Sequence, residues 1–301
     1  MTESNGGSRA NDVAVIGCGL MGSALARAFA KSGYSVAAWN RTPERAEALA
    51  CDGITPVRSV DDAVRSTRLV VACMSTYETT VAALKPVTDW EGATLVNLAS
   101  GAPYEVTVLE RWAAEHGAEY LDGSIVCYPQ DIGSSEAAVL YSGSPAAWTD
   151  HERTLMSLGG SSAYISDRVT DASVLNVGVV GAFYVSALSA YVEAATYVLG
   201  QGVTADVLHA LTQVTIEGLR KASAEAAAAI VSGEHATDKA TIDTYAEAAG
   251  AALAVMQDSG QRARMLAAAV ENLSTAAASG SGSLGFFAQT TVAAADPAKA
   301  V

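Results

Sequence analysis

Positive charge is scarce in this chain: 18 Lys and Arg stand against 32 Asp and Glu, a net charge of −14 over 301 residues. That balance excludes nucleic acid and anionic membrane surfaces as partners, because a polyanion is repelled over most of the protein. Charge of either sign is low at 17%, while 50% of the residues are apolar, so much surface has to be buried, in two domains or one large one. Cysteine is sparse as well. Cys18, Cys51, Cys73 and Cys127 show no Cys-X-X-Cys spacing, and three of them fall in or beside apolar strands or turns, which predicts reduced, structural thiols. The four histidines, His116, His151, His209 and His235, are scattered without ligand spacing, so no metal site is expected. Ser124 lacks a Gly-X-Ser-X-Gly elbow, which removes serine hydrolase chemistry. Met1 to Asn11 has no apolar core; it predicts a disordered polar tail rather than a signal peptide, and a cytoplasmic protein.

One stretch has no charge at all. Ala172 to Val192 runs for twenty-one residues without Asp, Glu, Lys or Arg, long enough to cross a bilayer. Asn176, Ser186, Ser189 and two glycines interrupt it, no anchoring positive residues flank it, and no second span accompanies it. A helix surrounded by protein has the same composition. We expect that second state, and no membrane.

A further absence carries more information. The apolar run Asp12 to Ile16 reads as a buried strand and Ser23 to Lys31 as a helix with Leu25, Ala28 and Phe29 on one face, so Gly17-Cys18-Gly19-Leu20-Met21-Gly22 sits at a strand-to-helix turn. In such a turn the first glycine permits the bend, the second lets the backbone approach a pyrophosphate, and the third packs helix on strand. The next strand, Tyr34 to Trp39, ends where an acid ordinarily takes the adenosine ribose hydroxyls. No acid is there. Asn40, Arg41 and Thr42 replace it, with Arg45 one turn on, so donors and positive charge await a ribose 2′-phosphate: the pattern predicts NADPH over NADH. Thr42 ahead of Pro43 also suits a helix cap, and one segment can do both.

The alternation continues through helix Pro43 to Ala50, a strand near Pro56, helix Val60 to Arg65, strand Arg68 to Cys73, helix Thr79 to Leu84, strand Thr94 to Leu98, helix Pro103 to His116 and strand Glu119 to Leu121. Strands at Ala137 to Tyr141 and Ser162 to Ile165 enclose helix Pro145 to Leu158. From Asp171 strand signals vanish, and helices are predicted over Ser173 to Leu199, Thr204 to Val231, Asp238 to Gln257 and Gly260 to Ala278. The fold class is therefore α/β: an N-terminal Rossmann, doubly wound sheet (12–170) joined by a long interdomain helix (173–199) to an all-α C-terminal domain (171–287). Residues 1–11 and 288–301 are expected to be tails, the second one mobile. Two helical hairpins cover little of an apolar twenty-residue helix, so the helical domain is expected to wrap around a second copy in an obligate homodimer. Met74 and Ser75 after the fourth strand, and Ala99 and Ser100 after the fifth, lie at the carboxyl edge where such sheets bind ligands, and are assigned to the cofactor. Ser100 before Gly101 also reads as an ordinary turn cap.

Several motifs in order resemble one family. Gly17-X-Gly-Leu-Met-Gly with Gly33 resembles the start of the β-hydroxyacid dehydrogenases, and Trp39-Asn40-Arg41-Thr42 with Arg45 resembles their imine reductase branch. Asn97-Leu98-Ala99-Ser100-Gly101, Leu121-Asp122-Gly123-Ser124-Ile125 through Pro129, Ile132-Gly133, Leu140 to Ser144 and Gly233 to Asp238 look like imine reductase signatures too. The resemblance implies hydride transfer from NADPH to a C=N bond, which needs no metal, with a small-molecule imine as substrate and an active site at a subunit and domain interface. Hydroxyacid dehydrogenases of this kind carry a lysine early in the long helix, and from Asp171 to Gln201 there is none. Imine reductases often carry an aspartate where this chain has Asn176, or a tyrosine nearby; a carboxamide donates no proton at neutral pH.

Tyr184 follows Asn176 by two helical turns, about 12 Å along the axis, so the two are the catalytic candidates. Tyr184, or a water on Asn176, supplies the nitrogen proton, or the pair orients an iminium protonated in solution. The plainer alternative makes Asn176 a helix-stabilising residue and Tyr184 a core aromatic. A hydroxyacid or carbonyl reductase, and a non-catalytic NADP-binding protein, are the rival functions.

Overall fold

In the computed structural model, residues 10–50, 53–90 and 92–293 are described. Cys51, residues 1–9 of the N-terminal tail and residues 294–301 of the C-terminal one lie outside that set. The chain divides into two compact units, Met1–Ala182 and Phe183–Val301. The sequence pattern puts the change of fold class at residue 170, at the onset of the helical run.

The first unit is built on β1 (Val13–Ile16), α1 (Leu20–Lys31), β2 (Val36–Trp39), α2 (Pro43–Glu47), β3 (Ile54–Pro56), α3 (Val60–Arg65), β4 (Leu69–Ala72), α4 (Tyr77–Leu84), β5 (Thr94–Asn97), α5 (Pro103–Glu115) and β6 (Glu119–Ile125). Next come β7 (Val139–Gly143), α6 (Pro145–Leu155), β8 (Ala163–Ser166) and α7 (Asp171–Leu175). The eight strands form one sheet in the order β3-β2-β1-β4-β5-β6-β7-β8. All neighbours are parallel except β6 and β7. Strands buried on both faces need continuous apolar runs, and β1 (Val-Ala-Val-Ile) and β4 (Leu-Val-Val-Ala) are buried throughout. Two apolar clusters form, one on each side of the sheet. Leu25, Phe29, Leu121, Tyr141 and Leu155 belong to the first, and Val64, Leu95, Leu109, Tyr77 and Tyr120 to the second.

β6 is longer than its apolar signal, running to Ile125 where the pattern predicts an end at Leu121, because the antiparallel partner β7 pairs with it from Leu121 to Ile125. Alternation along β6 then places Tyr120, Asp122 and Ser124 on one side. The helical run after α7 is not one uniform helix: Asn176–Tyr184 is π-helical, with Gly178 and Gly181 within it. Such wide turns occur often at functional sites.

The second unit holds α8 (Val185–Gly200), α9 (Ala205–Ser232), α10 (Ile242–Asp258), α11 (Arg264–Ala276) and α12 (Thr290–Ala293). α10 starts four residues later than the pattern predicts, where the Thr241 hydroxyl caps it by accepting from the Thr244 amide. Glu193 of α8 accepts from the Arg264 and Met265 amides at 2.9 and 3.0 Å, and so places a carboxylate at the positive end of α11. The interior of this unit is small, centred on Ile242, Leu273, Ala276 and Ala288. One expectation is corrected. Ala288 is fully buried and Thr290–Ala293 is helical, so a mobile tail does not begin at residue 288. The apolar helix is covered little by its own chain, as expected of two helical hairpins: α8 has no buried residue, and only 11% of the apolar stretch in Asp171–Gly200 is buried. By length and composition that helix alone, among the described residues, is able to cross a membrane.

Candidate active site

The glycine turn has the geometry its sequence demands. Gly17 sits at φ 100°, a left-handed backbone that favours glycine, and a Cβ there would press on the Cys73 carbonyl and the Met74 sulfur. A Cβ on Gly22 would collide with the Gly17 carbonyl oxygen, so α1 packs on the turn without room for a methyl group. Gly19 is different. It is the N-cap of α1, no side chain caps the helix, and a Cβ there meets open space. Leu20 beside it is 87% exposed. Open room over uncapped helix amides fits a phosphate-bearing ligand.

At the end of β2, Asn40 is committed to the backbone: its Oδ1 accepts from the Cys18 amide at 2.9 Å and its Nδ2 donates to the Thr42 carbonyl at 2.9 Å. Its first task is thus to tie the glycine turn to the next loop. Arg41, Thr42 and Arg45 are exposed around the start of α2, and remain available to an anion.

Six of the expected residues meet at the carboxyl edge of the sheet. Met21, Met74, Ser75, Ala99, Ser100 and Asn176 line one cavity of about 250 Å³. α7 is held over this edge by two serines. The Ser142 hydroxyl donates to the Val169 carbonyl at 2.7 Å and accepts from the Ala172 amide at 3.0 Å, and Ser173 donates to the Gly101 carbonyl at 2.9 Å. Asn176 follows directly, and its Oδ1 accepts from the Ser124 hydroxyl at 3.1 Å. Its Nδ2 is left as the donor. Tyr184 belongs to the second unit, where it is 43% exposed.

The cavity contains groups that carry no role in the sequence pattern. Asp122 and Tyr77 also line it. The Asp122 Oδ1 accepts from the Tyr77 hydroxyl at 2.7 Å and from the Tyr120 hydroxyl at 2.9 Å. Burial pushes the Asp122 carboxyl up to about 7, against the two tyrosine hydrogen bonds and the nearby Asn97 amide, which favour its ionised form. Burial and the Asp122 charge hold both tyrosine hydroxyls far above their ordinary range. Asn97 lies opposite Asp122 in the strand register, and its Oδ1 accepts from Thr80 at 3.2 Å. Its Nδ2 is buried without a hydrogen-bond partner. Asp122 stands within a motif of the sequence, and alternation along β6 was the available signal. Among the described residues, burial holds the thiols away from the reactive thiolate: it raises Cys18 to about 11 and Cys73 to about 12, and shifts Cys127 upward. No cluster of metal-ligating residues occurs among the described residues.

Residues 12–170 match the family described as the NAD binding domain of 6-phosphogluconate dehydrogenase. The structure of an imine reductase from Myxococcus stipitatus in complex with NADP+ is 30% identical, covering 93% of this chain and 98% of that one with a TM-score of 0.85. The chain belongs to the imine reductase family. An imine reductase from a Pseudomonas species superposes with a TM-score of 0.86 at 28% identity, again over 93% and 98% of the two chains. An NADPH-dependent reductive aminase from Aspergillus oryzae is 30% identical over 173 residues, which are 57% of this chain and 59% of that protein.

Proposed function

We propose that the protein reduces C=N bonds with NADPH, turning cyclic imines or iminium ions into amines, with reductive amination of ketones as an extension of the same step. The observation that supports this most directly is the convergence of Met21, Met74, Ser75, Ala99 and Ser100 with Asn176 in one cavity at the carboxyl edge of the sheet. The Gly17–Gly22 turn and the uncapped start of α1 hold the pyrophosphate, and Arg41, Thr42 and Arg45 hold the 2′-phosphate. Bound there, NADPH supplies a hydride to the carbon of the C=N bond. Asn176 has its carbonyl occupied by Ser124, so it offers Nδ2 to a water or to the substrate and supplies no proton itself. Tyr184 is assigned to the substrate nitrogen on the family resemblance, as proton donor or orienting hydroxyl. An iminium already protonated in solution needs no acid, and positioning then accounts for most of the acceleration.

We assign the uncovered apolar helices to a second copy of the chain, in the cytoplasm rather than in a bilayer. On α8 and α9, Val192 (63% exposed), Leu211 (65%) and Val214 (69%) are among the side chains such a homodimer buries. Each contributes about 1.5 to 3 kcal/mol when fully covered.

Following NADPH absorbance tests the function. Oxidation is expected with a cyclic imine, and NADP+ reduction is not expected with hydroxyacids. Tight NADPH binding without turnover of any imine would mean a non-catalytic protein.

A further inference from the structure

The polar group at the floor of the cavity has a chemistry of its own. Among the cavity-lining residues, Asp122 is the one carboxyl, beside the thiol of Cys73 and the phenol of Tyr77. Those two titrate far from neutrality, Cys73 at about 12 and Tyr77 higher still. Asp122 lines the same space as Met74, Ser75, Ala99 and Ser100, and is only 1% exposed. Both tyrosine donors converge on one of its oxygens, which ties the carboxyl of β6 to α4.

The surroundings leave its charge uncompensated. Its own strand brings Tyr120, and α4 brings Tyr77. β5 contributes neutral Asn97, and β7 contributes neutral Ser142 opposite it in register. From α5, Glu105 bears on Tyr77 and accepts from the Ala102 amide at 2.8 Å. The charge on α7, Asp171, is paired with Arg168. α6 packs with Leu121 on the other side of the sheet, so Asp150, His151, Glu152 and Arg153 do not face Asp122. The cations these elements do carry, Arg111 of α5 and Arg153 of α6, make no charge contribution at Asp122. A positive charge brought by a ligand would meet Asp122 unshielded in a low-dielectric setting.

The two forms of a nicotinamide cofactor differ in this respect: the oxidised ring is cationic and the reduced ring is neutral. We propose that Asp122 is a positioning residue that distinguishes the two forms, ionised when the oxidised cofactor is bound and protonated when the reduced cofactor is bound. This rests on the cofactor reading above. The Asn97 amide, opposite Asp122 in strand register, favours the ionised form. The proton involved exchanges with solvent, and no other reactant is required.

The test is binding rather than turnover: the dissociation constants of NADP+ and NADPH measured calorimetrically from about pH 5.5 to about 8.5 on the full chain. The ratio of the two cancels whatever the 2′-phosphate and its arginines contribute in common. Because the carboxyl titrates at about 7, affinity for NADP+ should rise relative to NADPH as pH increases, by roughly tenfold across the range. Asp122→Asn keeps an acceptor for both tyrosines and should make the ratio independent of pH. Tyr77→Phe removes a bond that favours the ionised form, so the rise should move to higher pH; this variant retains the test if Asp122→Asn fails to fold. A flat ratio in the wild-type protein, or an unchanged slope in Asp122→Asn, overturns the proposal alone. Failure to bind either cofactor overturns the cofactor reading and this proposal together.

Discussion

Ser124 and Asn176 are 52 residues apart in sequence and joined by a hydrogen bond of 3.1 Å from the serine hydroxyl to the asparagine Oδ1. That bond couples the end of β6 to the start of the π-helical stretch and orients the amide in the cavity. Asn176→Ala should lower kcat/KM for an imine by about tenfold or more, with little change in the dissociation constant for NADPH. Ser124→Ala should have a smaller effect of the same kind, since it removes the orienting bond and not the donor. Single-turnover kinetics beside equilibrium cofactor titration separate the two quantities.

Replacing Arg41 and Arg45 together by alanine should raise KM for NADPH by about tenfold or more and leave KM for NADH nearly unchanged. The wild-type preference should also weaken with added salt, because both side chains are exposed. Equal effects on the two cofactors would remove the 2′-phosphate from its assigned place.

Asp122 makes stability depend on pH in a direction opposite to that of a salt-bridged carboxylate. Its folded value lies near 7, above the ordinary 3.8. As pH rises through 3.8 the unfolded chain loses its proton while the folded protein keeps it. Asp122 therefore lowers stability progressively between the two values, by a few kcal/mol in all, and the loss levels off above 7. Urea midpoints measured across that range should fall in the wild type, and the fall should be shallower in Asp122→Asn.

Gly22→Ala should be severely destabilising, because the added methyl group meets the Gly17 carbonyl and the backbone cannot yield. The expected cost is more than about 2 kcal/mol by thermal unfolding, with loss of cofactor affinity in any protein that folds. Gly19→Ala faces open space instead, and should spare stability while weakening NADPH binding.

The Rossmann unit was legible because its signals are local. Apolar runs mark β1 and β4, and the glycines at 17 and 22 report a backbone with no room for a side chain. The polar cluster was not, since Tyr77 reaches Asp122 from 45 residues away and Asn97 meets it through strand register. The first depends on how a helix packs on the sheet and the second on how strands pair, and composition encodes neither. For the apolar helix, hydropathy alone left a bilayer and a protein partner open, because it reports that a surface is covered and not what covers it. Val192→Lys on the exposed side of α8 should shift the protein towards monomer in light scattering.

The most direct measurement of the central claim is label transfer from NADPH carrying deuterium at both C4 positions to a cyclic imine. Mass spectrometry should find one deuterium on the former imine carbon of the amine, matched by one equivalent of NADP+. Cofactor bound without amine formed, or amine without the label, would contradict it.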